Sequence, residues 1–292
     1  MYLGEDRFGL QPIWEGLIGV YDEFAKICDK YGLRYYVTDG NALGAVRHGG
    51  FIPWDDDLDI SMPRPDYEKF IGVAGRELPS NLKIVKWQNT PEYNLMFAKV
   101  QETRREYVEG IEKASGRMLS NGIYIDIFPI DGFPTSRLTL AMCRIKFAIL
   151  KVLLRFQCDK FSRQTTKGKI VWFAGLLLTP FFPWLWGHDR IMRCMEALTQ
   201  KFSFDDSALT GRSWNDSGLF FSPPHPKEVW GVATKRMFGE KMLPFPSNIE
   251  KFLEIRYGDY MRLPAVEHRC PSHQYTWRCP WWLGPTKCEC DI

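Results

Sequence analysis

The stretch FIPWDDDLDISMPRP, Phe51 to Pro65, places Asp55, Asp56, Asp57 and Asp59 within five residues, beside Trp54, Leu58 and Ile60. Carboxylates crowded among apolar side chains repel one another at a cost in stability. From Asp57 to Ser61 polar and apolar residues alternate, the pattern of a half-buried strand. Residues two apart on a strand point the same way, about 6.6 Å from each other. Asp57 and Asp59 therefore share one face, with Leu58 and Ile60 directed into the core. Asp55 joins that face where the chain stays extended. Oxygen ligands held in this way suit hard cations such as Mg²⁺ or Mn²⁺. A divalent ion offsets the repulsion and neutralises phosphate charge during group transfer. A solvated acidic loop is the plainer reading of the same letters.

Two segments further out bear on the choice. In NGIYIDIFPID, Asp126 is an acid at the centre of an apolar strand, between Ile125 and Ile127. Asp57, Asp59 and Asp126 together, with Asp55 beside them, form a carboxylate cradle of the kind that holds two ions about 3.5–4 Å apart. Upstream, DGNALGAVRHGG begins with a turn at Asp39, Gly40 and Asn41 and continues as a short helix, whose free N–H groups can receive phosphate oxygens. Arg47 and His48 close that segment and are placed for the same anion.

Helix and strand patterns mix throughout the first 130 residues, the signature of an α/β or α+β core. Ile13, Leu17, Val20, Phe24 and Ile27 recur at helical spacing, and Gly32 stands where that helix should stop. Leu33 to Thr38 reads as a strand, as do Leu82 to Trp87, Leu95 to Gln101 and Ile123 to Phe128. DYEKFIGVAGREL and NIEKFLEIRYG read as helices.

Residues 137–200 differ in character. Between Arg137 and Lys169 lie nine basic residues and one acid, Asp159, followed by the apolar run VWFAGLLLTPFFPWLWG with Pro180 and Pro183 inside it. A spanning helix needs about 20 apolar residues, so this run is too short and too interrupted. It fits either a helical hairpin lying on an anionic membrane surface or an apolar helical pair in a core. The expected organisation is a catalytic domain from 1–136 and 201–292, with 137–200 as a helical insert.

The chain has 292 residues and a net charge of +3, which gives no support to nucleic-acid binding. MYLGEDRFGLQPIWEG has no signal-peptide pattern, and eight cysteines in a chain of this length read as reduced thiols. The expected location is the cytoplasm or the inner face of the plasma membrane. Cys270, Cys279, Cys288 and Cys290, with His268 and His273, lack the paired spacing of zinc knuckles.

TDGNALGAVRHGGFIPWDDDLDISM together with NGIYIDIFPIDG resembles the LicD family, which includes bacterial phosphocholine transferases and is similar to the fukutin-related proteins. The resemblance extends weakly to FLEIRYGDYMRLP and PSHQY. It implies a nucleotidyltransferase-like fold, a mixed sheet flanked by helices. The implied reaction transfers a phospho-alcohol from a CDP-activated donor, CDP-choline foremost, to a hydroxyl of a glycan, lipid-linked or free, and releases CMP. Asp57 and Asp59 would then ligate Mg²⁺, with Asp126 as third ligand or base and Asp55 and Asp56 on the rim. Lys99 is placed for a donor phosphate or is a solvated edge lysine; Arg104 and Arg105 are surface residues or phosphate contacts. Trp54 stacks on a cytosine, cages an ammonium, or packs in the core. Two other classes share the Asp-x-Asp signal: a sugar-nucleotide glycosyltransferase and a non-catalytic, membrane-associated cation-binding protein.

Overall fold

The computed structural model describes residues 8–90, 93–103, 107–108, 122–158, 166–182, 184, 187–212, 223–271 and 276–277. The chain divides into two compact units, Met1–Val85 with Ala98–Pro129 and Lys227–Ile292, and Lys86–Phe97 with Ile130–Pro226. The architecture is mixed α/β.

In the first unit, α1 (Gln11–Tyr31) buries the Ile13, Leu17, Val20, Phe24 and Ile27 face that its spacing demands and stops at Gly32. The strand expected over Leu33 to Thr38 is reduced to β1 (Tyr36–Val37). The turn expected at Asp39 to Asn41 is instead the first turn of α2 (Asp39–Arg47). Then follow β2 (Asp59–Pro63), α3 (Arg64–Glu77), β3 (Leu82–Val85), β4 (Ala98–Glu102), β5 (Tyr107–Val108) and β6 (Tyr124–Phe133). The sheet order is β1-β2-β6-β4-β3. Because β2 lies between β1 and β6, all five of its residues are buried, and the half-buried reading of Asp57 to Ser61 gives way.

The antiparallel registers Lys99↔Asp126 and Gln101↔Tyr124 define the two faces of the sheet. Ala98, Val100, Ile125 and Ile127 lie fully buried on the core face, next to α1 and α3. Lys99, Gln101, Tyr124 and Asp126 share the other face by strand alternation. Aromatic contacts fix the core, including Phe24 against Phe70 at 4.9 Å between ring centres.

The second unit is built on α4 (Arg137–Cys158), which packs on both α5 (Thr166–Leu178) and α6 (His188–Thr199). Its core gathers Phe147, Leu153 and Leu154 of α4 with Ile191, Met192 and Met195 of α6. The second half of β6 pairs antiparallel with β7 (Leu209–Arg212), which pairs with β8 (His225–Pro226). The expected insert 137–200 falls inside this unit. Among the described residues no helix is long and apolar enough to cross a membrane.

The chain returns to the first unit with the hairpin β9 (Thr234–Phe238) and β10 (Lys241–Phe245), then α7 (Ile249–Tyr257). The last described strand, β11 (Thr276–Trp277), pairs with β5. Arg104, Arg105, His273, Cys279, Cys288 and Cys290 lie outside the described residues. Among those described, Cys28, Cys143, Cys194 and Cys270 are free thiols.

Candidate active site

The acidic loop is anchored before it reaches the sheet. Phe51 stacks on Trp14 at 5.4 Å between ring centres, and Trp14 Nε1 donates to the Asp55 carbonyl at 2.7 Å. Asn41, wholly buried on α2, grips the next residues. Its Nδ2 donates to the Asp57 carbonyl at 3.0 Å, and its Oδ1 accepts from the Asp59 amide at 2.7 Å. The Asp59 carbonyl accepts from the Thr38 amide, and the Leu58 carbonyl from the Asp126 amide, both at 3.0 Å. The backbone from Asp57 to Asp59 is thereby held from three sides, so the two carboxylates are aimed before any ligand arrives.

Asp126 lies on the neighbouring strand beside Leu58. Its Oδ1 stands 3.4 Å from Lys99 Nζ, and that ammonium also sits 3.3 Å from the centre of the Tyr124 ring. Lys99 is therefore no solvated edge residue. It lies on β4, inside the sheet between β3 and β6, and is 6 % exposed.

Asp59 reports the electrostatics of the group. Its carboxyl is pushed well above the usual aspartate range, first by burial, then by the charges of Asp57, Asp126 and Asp55, with Arg256 opposing. Four acids thus act on one another across one site. Among the described residues no three His, Cys, Asp or Glu side chains close into a coordination group. The donor set, all carboxylate oxygen with one member destabilised by its neighbours, suits a hard divalent cation.

Gly40 is required by the same group. A Cβ there would fall 2.5 Å from Asp55 Oδ2, so only glycine lets that carboxylate rest against the first turn of α2. Asp39, just before it, adopts a left-handed φ of 51°, and its Oδ1 accepts from Arg256 Nε of α7 at 2.8 Å. This part-buried pair ties α7 to the start of α2.

Beside Gly40 opens a cleft of about 810 Å³, lined by Arg47, Trp54, Tyr257, Asp259 and Arg269 among others. That volume suits a nucleotide-sized ligand. Arg47 Nη1 donates to the carbonyls of Tyr260 and Arg262 at 3.0 and 3.4 Å, tethering the far wall of the cleft. Burial and the neighbouring Arg47 lower the pKa of His48, whose ring meets Trp54 edge-on at 5.9 Å. Trp54 is half-buried and carries the Arg269 guanidinium 5.9 Å from its ring centre, so it is a wall of the cleft and not a core residue.

Asp55, Asp57, Asp59, Asp126, Lys99 and Gly40 are thus brought to one site, and Arg47 and Trp54 to the cleft next to it; His48 does not line the cleft but packs against Trp54. Asn41 works through the main chain, with both polar ends of its side chain engaged there. Asp39, Arg256 and Gln101 were not anticipated. Gln101 is fully buried two residues after Lys99 on the same face, with no hydrogen-bond partner for its amide nitrogen or oxygen among the described residues. Its place in the alternation after Lys99 was the only available signal.

A metal-compatible acid cluster on a mixed sheet, next to a glycine-led helix and a nucleotide-sized cleft, defines the class of nucleotidyltransferase-like proteins. Residues 32–148 match the LicD/FKTN/FKRP nucleotidyltransferase domain, a match that supports a LicD-family protein. It is 27 % identical over 257 residues to the lipopolysaccharide cholinephosphotransferase LicD of Haemophilus influenzae, covering 88 % of this chain and 92 % of that one. It is also 28 % identical over 110 residues to human ribitol 5-phosphate transferase FKRP, covering 37 % of this chain and 22 % of that one. An uncharacterised Rickettsia prowazekii protein is 46 % identical over 41 residues, or 14 % of this chain and 15 % of that one.

Proposed function

We propose that the protein transfers a phospho-alcohol, phosphocholine in the first instance, from a CDP-linked donor to a glycan hydroxyl. The observation that carries this reading is the main-chain clamp on Asp57 and Asp59 beside Asp126, next to the cleft at Gly40. The Haemophilus relative, named as a cholinephosphotransferase and matched over nearly its whole length, supports the choice of choline.

The nucleotide occupies the cleft, with Trp54 offering a face to the base and Arg47 and Arg269 in its lining facing the diphosphate. Asp57, Asp59 and Asp126, with Asp55 at the rim, would hold Mg²⁺ or Mn²⁺, whose chemistry is to neutralise the diphosphate and the developing charge. The acceptor oxygen bonds to the phosphorus that bears the alcohol, and the bond from that phosphorus to the bridging oxygen breaks. The bridging oxygen leaves on CMP. Asp126 accepts the acceptor proton, and Lys99 beside it, 3.4 Å away, positions that carboxylate.

The test is CMP release from CDP-choline and CDP-ribitol with Mg²⁺ and candidate glycans, with UDP-sugars as controls. CMP release that depends on the glycan and vanishes in Asp57→Asn supports the reading. UDP release from a UDP-sugar, with CDP donors inert, overturns it in favour of glycosyl transfer.

A further inference from the structure

The helical unit carries an apolar surface that its own packing does not cover. On α4, Leu138 (71 % exposed), Met142 and Ile145 recur at helical spacing on an outward face. On α5, Ile170, Phe173 and Leu177 repeat that spacing, with Leu176 beside them, and Phe181 and Trp184 continue the apolar surface past the helix end. The core face of α4 is separate and is occupied by Phe147, Leu153 and Leu154. These helices are therefore not an apolar pair sealed in a core.

Charge identifies what covers this surface. Arg137 precedes Leu138, Lys146 follows Ile145 and Lys169 precedes Ile170, and all three basic residues are exposed. From Arg137 to Trp184 the sequence holds nine basic residues and one acid, in a chain whose total excess is only +3, so the rest of the protein is net negative. A protein partner for such a face needs no cationic border, whereas an anionic bilayer rewards both parts at once. Apolar side chains enter the acyl boundary, and each Lys or Arg beside them strengthens binding several-fold at the headgroups. Long basic side chains reach the headgroup level while their stems stay in apolar contact. No described helix is both long and apolar enough to cross a membrane, which leaves the in-plane arrangement.

We infer that α4, α5 and the segment through Trp184 form a docking surface for an anionic lipid bilayer, lying in its interface. This rests on the helical unit alone and does not depend on the chemistry proposed for the acidic site.

The test uses the whole protein and vesicles made either of equal parts phosphatidylglycerol and phosphatidylcholine or of phosphatidylcholine alone. Co-sedimentation should favour the anionic vesicles by at least about tenfold. Phe173→Glu with Leu177→Glu should lower binding to anionic vesicles by at least about tenfold, with an unchanged melting curve. Met242→Glu, at an exposed apolar residue of the other unit, should bind as the parent does. Equal binding to both lipids, or no loss in the double variant, overturns the inference. So does a dimer in solution that the double variant abolishes, which would assign the face to a second copy of the chain.

Discussion

The carboxamide of Asn41 accepts the backbone N–H of Asp59 at 2.7 Å, and through its other end also holds the Asp57 carbonyl. One helical side chain therefore sets the pitch between two acids on a different element. Asn41→Ala should leave both main-chain groups buried and unmet, lowering stability by about 1–3 kcal/mol. Turnover should fall further than stability does, because the acids lose their aim. Chemical denaturation together with CMP release would measure both, and a destabilised but fully active variant would refute the clamp.

Gly40→Ala should be tolerated by the fold and not by the site. The new Cβ meets the tip of the Asp55 side chain, which can swing away, so melting should change little. Mn²⁺ affinity, read by calorimetric titration, should weaken roughly tenfold as that carboxylate leaves its place.

Asp59 makes a signed prediction for pH. Its folded carboxyl holds a proton more tightly than the unfolded one, so the unfolded chain binds fewer protons from about pH 3.9 up to the raised folded value. Stability of the metal-free protein should therefore be greatest below that window and decline as pH rises through it. Asp59→Asn should flatten the decline and stabilise the metal-free protein at pH 7, on the order of 1 kcal/mol, while abolishing turnover. Mg²⁺ should raise the melting temperature of the parent more at pH 7 than at pH 5. Parallel pH profiles for parent and variant would contradict this.

Asp39 combines a left-handed backbone with a part-buried ion pair to Arg256, in which the carboxylate is the buried partner. Arg256→Ala should cost about 3 kcal/mol by leaving the carboxylate buried without its cation. Asp39→Asn should cost less than Asp39→Ala by at least about 1 kcal/mol, since asparagine enters the left-handed region more readily than alanine. Denaturation midpoints for the three variants would rank them.

Gln101→Leu removes two buried polar groups that lack partners among the described residues. The resting protein should be as stable as the parent or more so, while turnover drops because a polar group beside Lys99 is gone. Undiminished turnover would show that Gln101 has no part in the reaction.

The acidic site was legible because its signals are local. Four acids in five residues, a lone Asp126 in an apolar strand and a glycine-led helix each lie within a few residues. Between the two readings of Lys99, phosphate contact or solvated edge, the sequence alone could not choose, because centrality on a sheet depends on strand order, which no local pattern carries. The ion pair of Asp39 with Arg256 and the tether from Arg47 to Tyr260 join positions more than 200 residues apart, beyond any periodicity. The basic and apolar run after residue 136 falls inside the second unit, whose bounds, Lys86–Phe97 and Ile130–Pro226, no local pattern marks. The strand that enters the second unit was not legible either, since β6 reads as one continuous element.

The tether from Arg47 ends on carbonyl oxygens, not on side chains. Attachment of that wall is thus indifferent to which amino acids occupy 259–263, so substitutions there reshape the cleft without unfastening it. Substitution of this short segment should therefore change the shape of the cleft while leaving the acids and their clamp untouched.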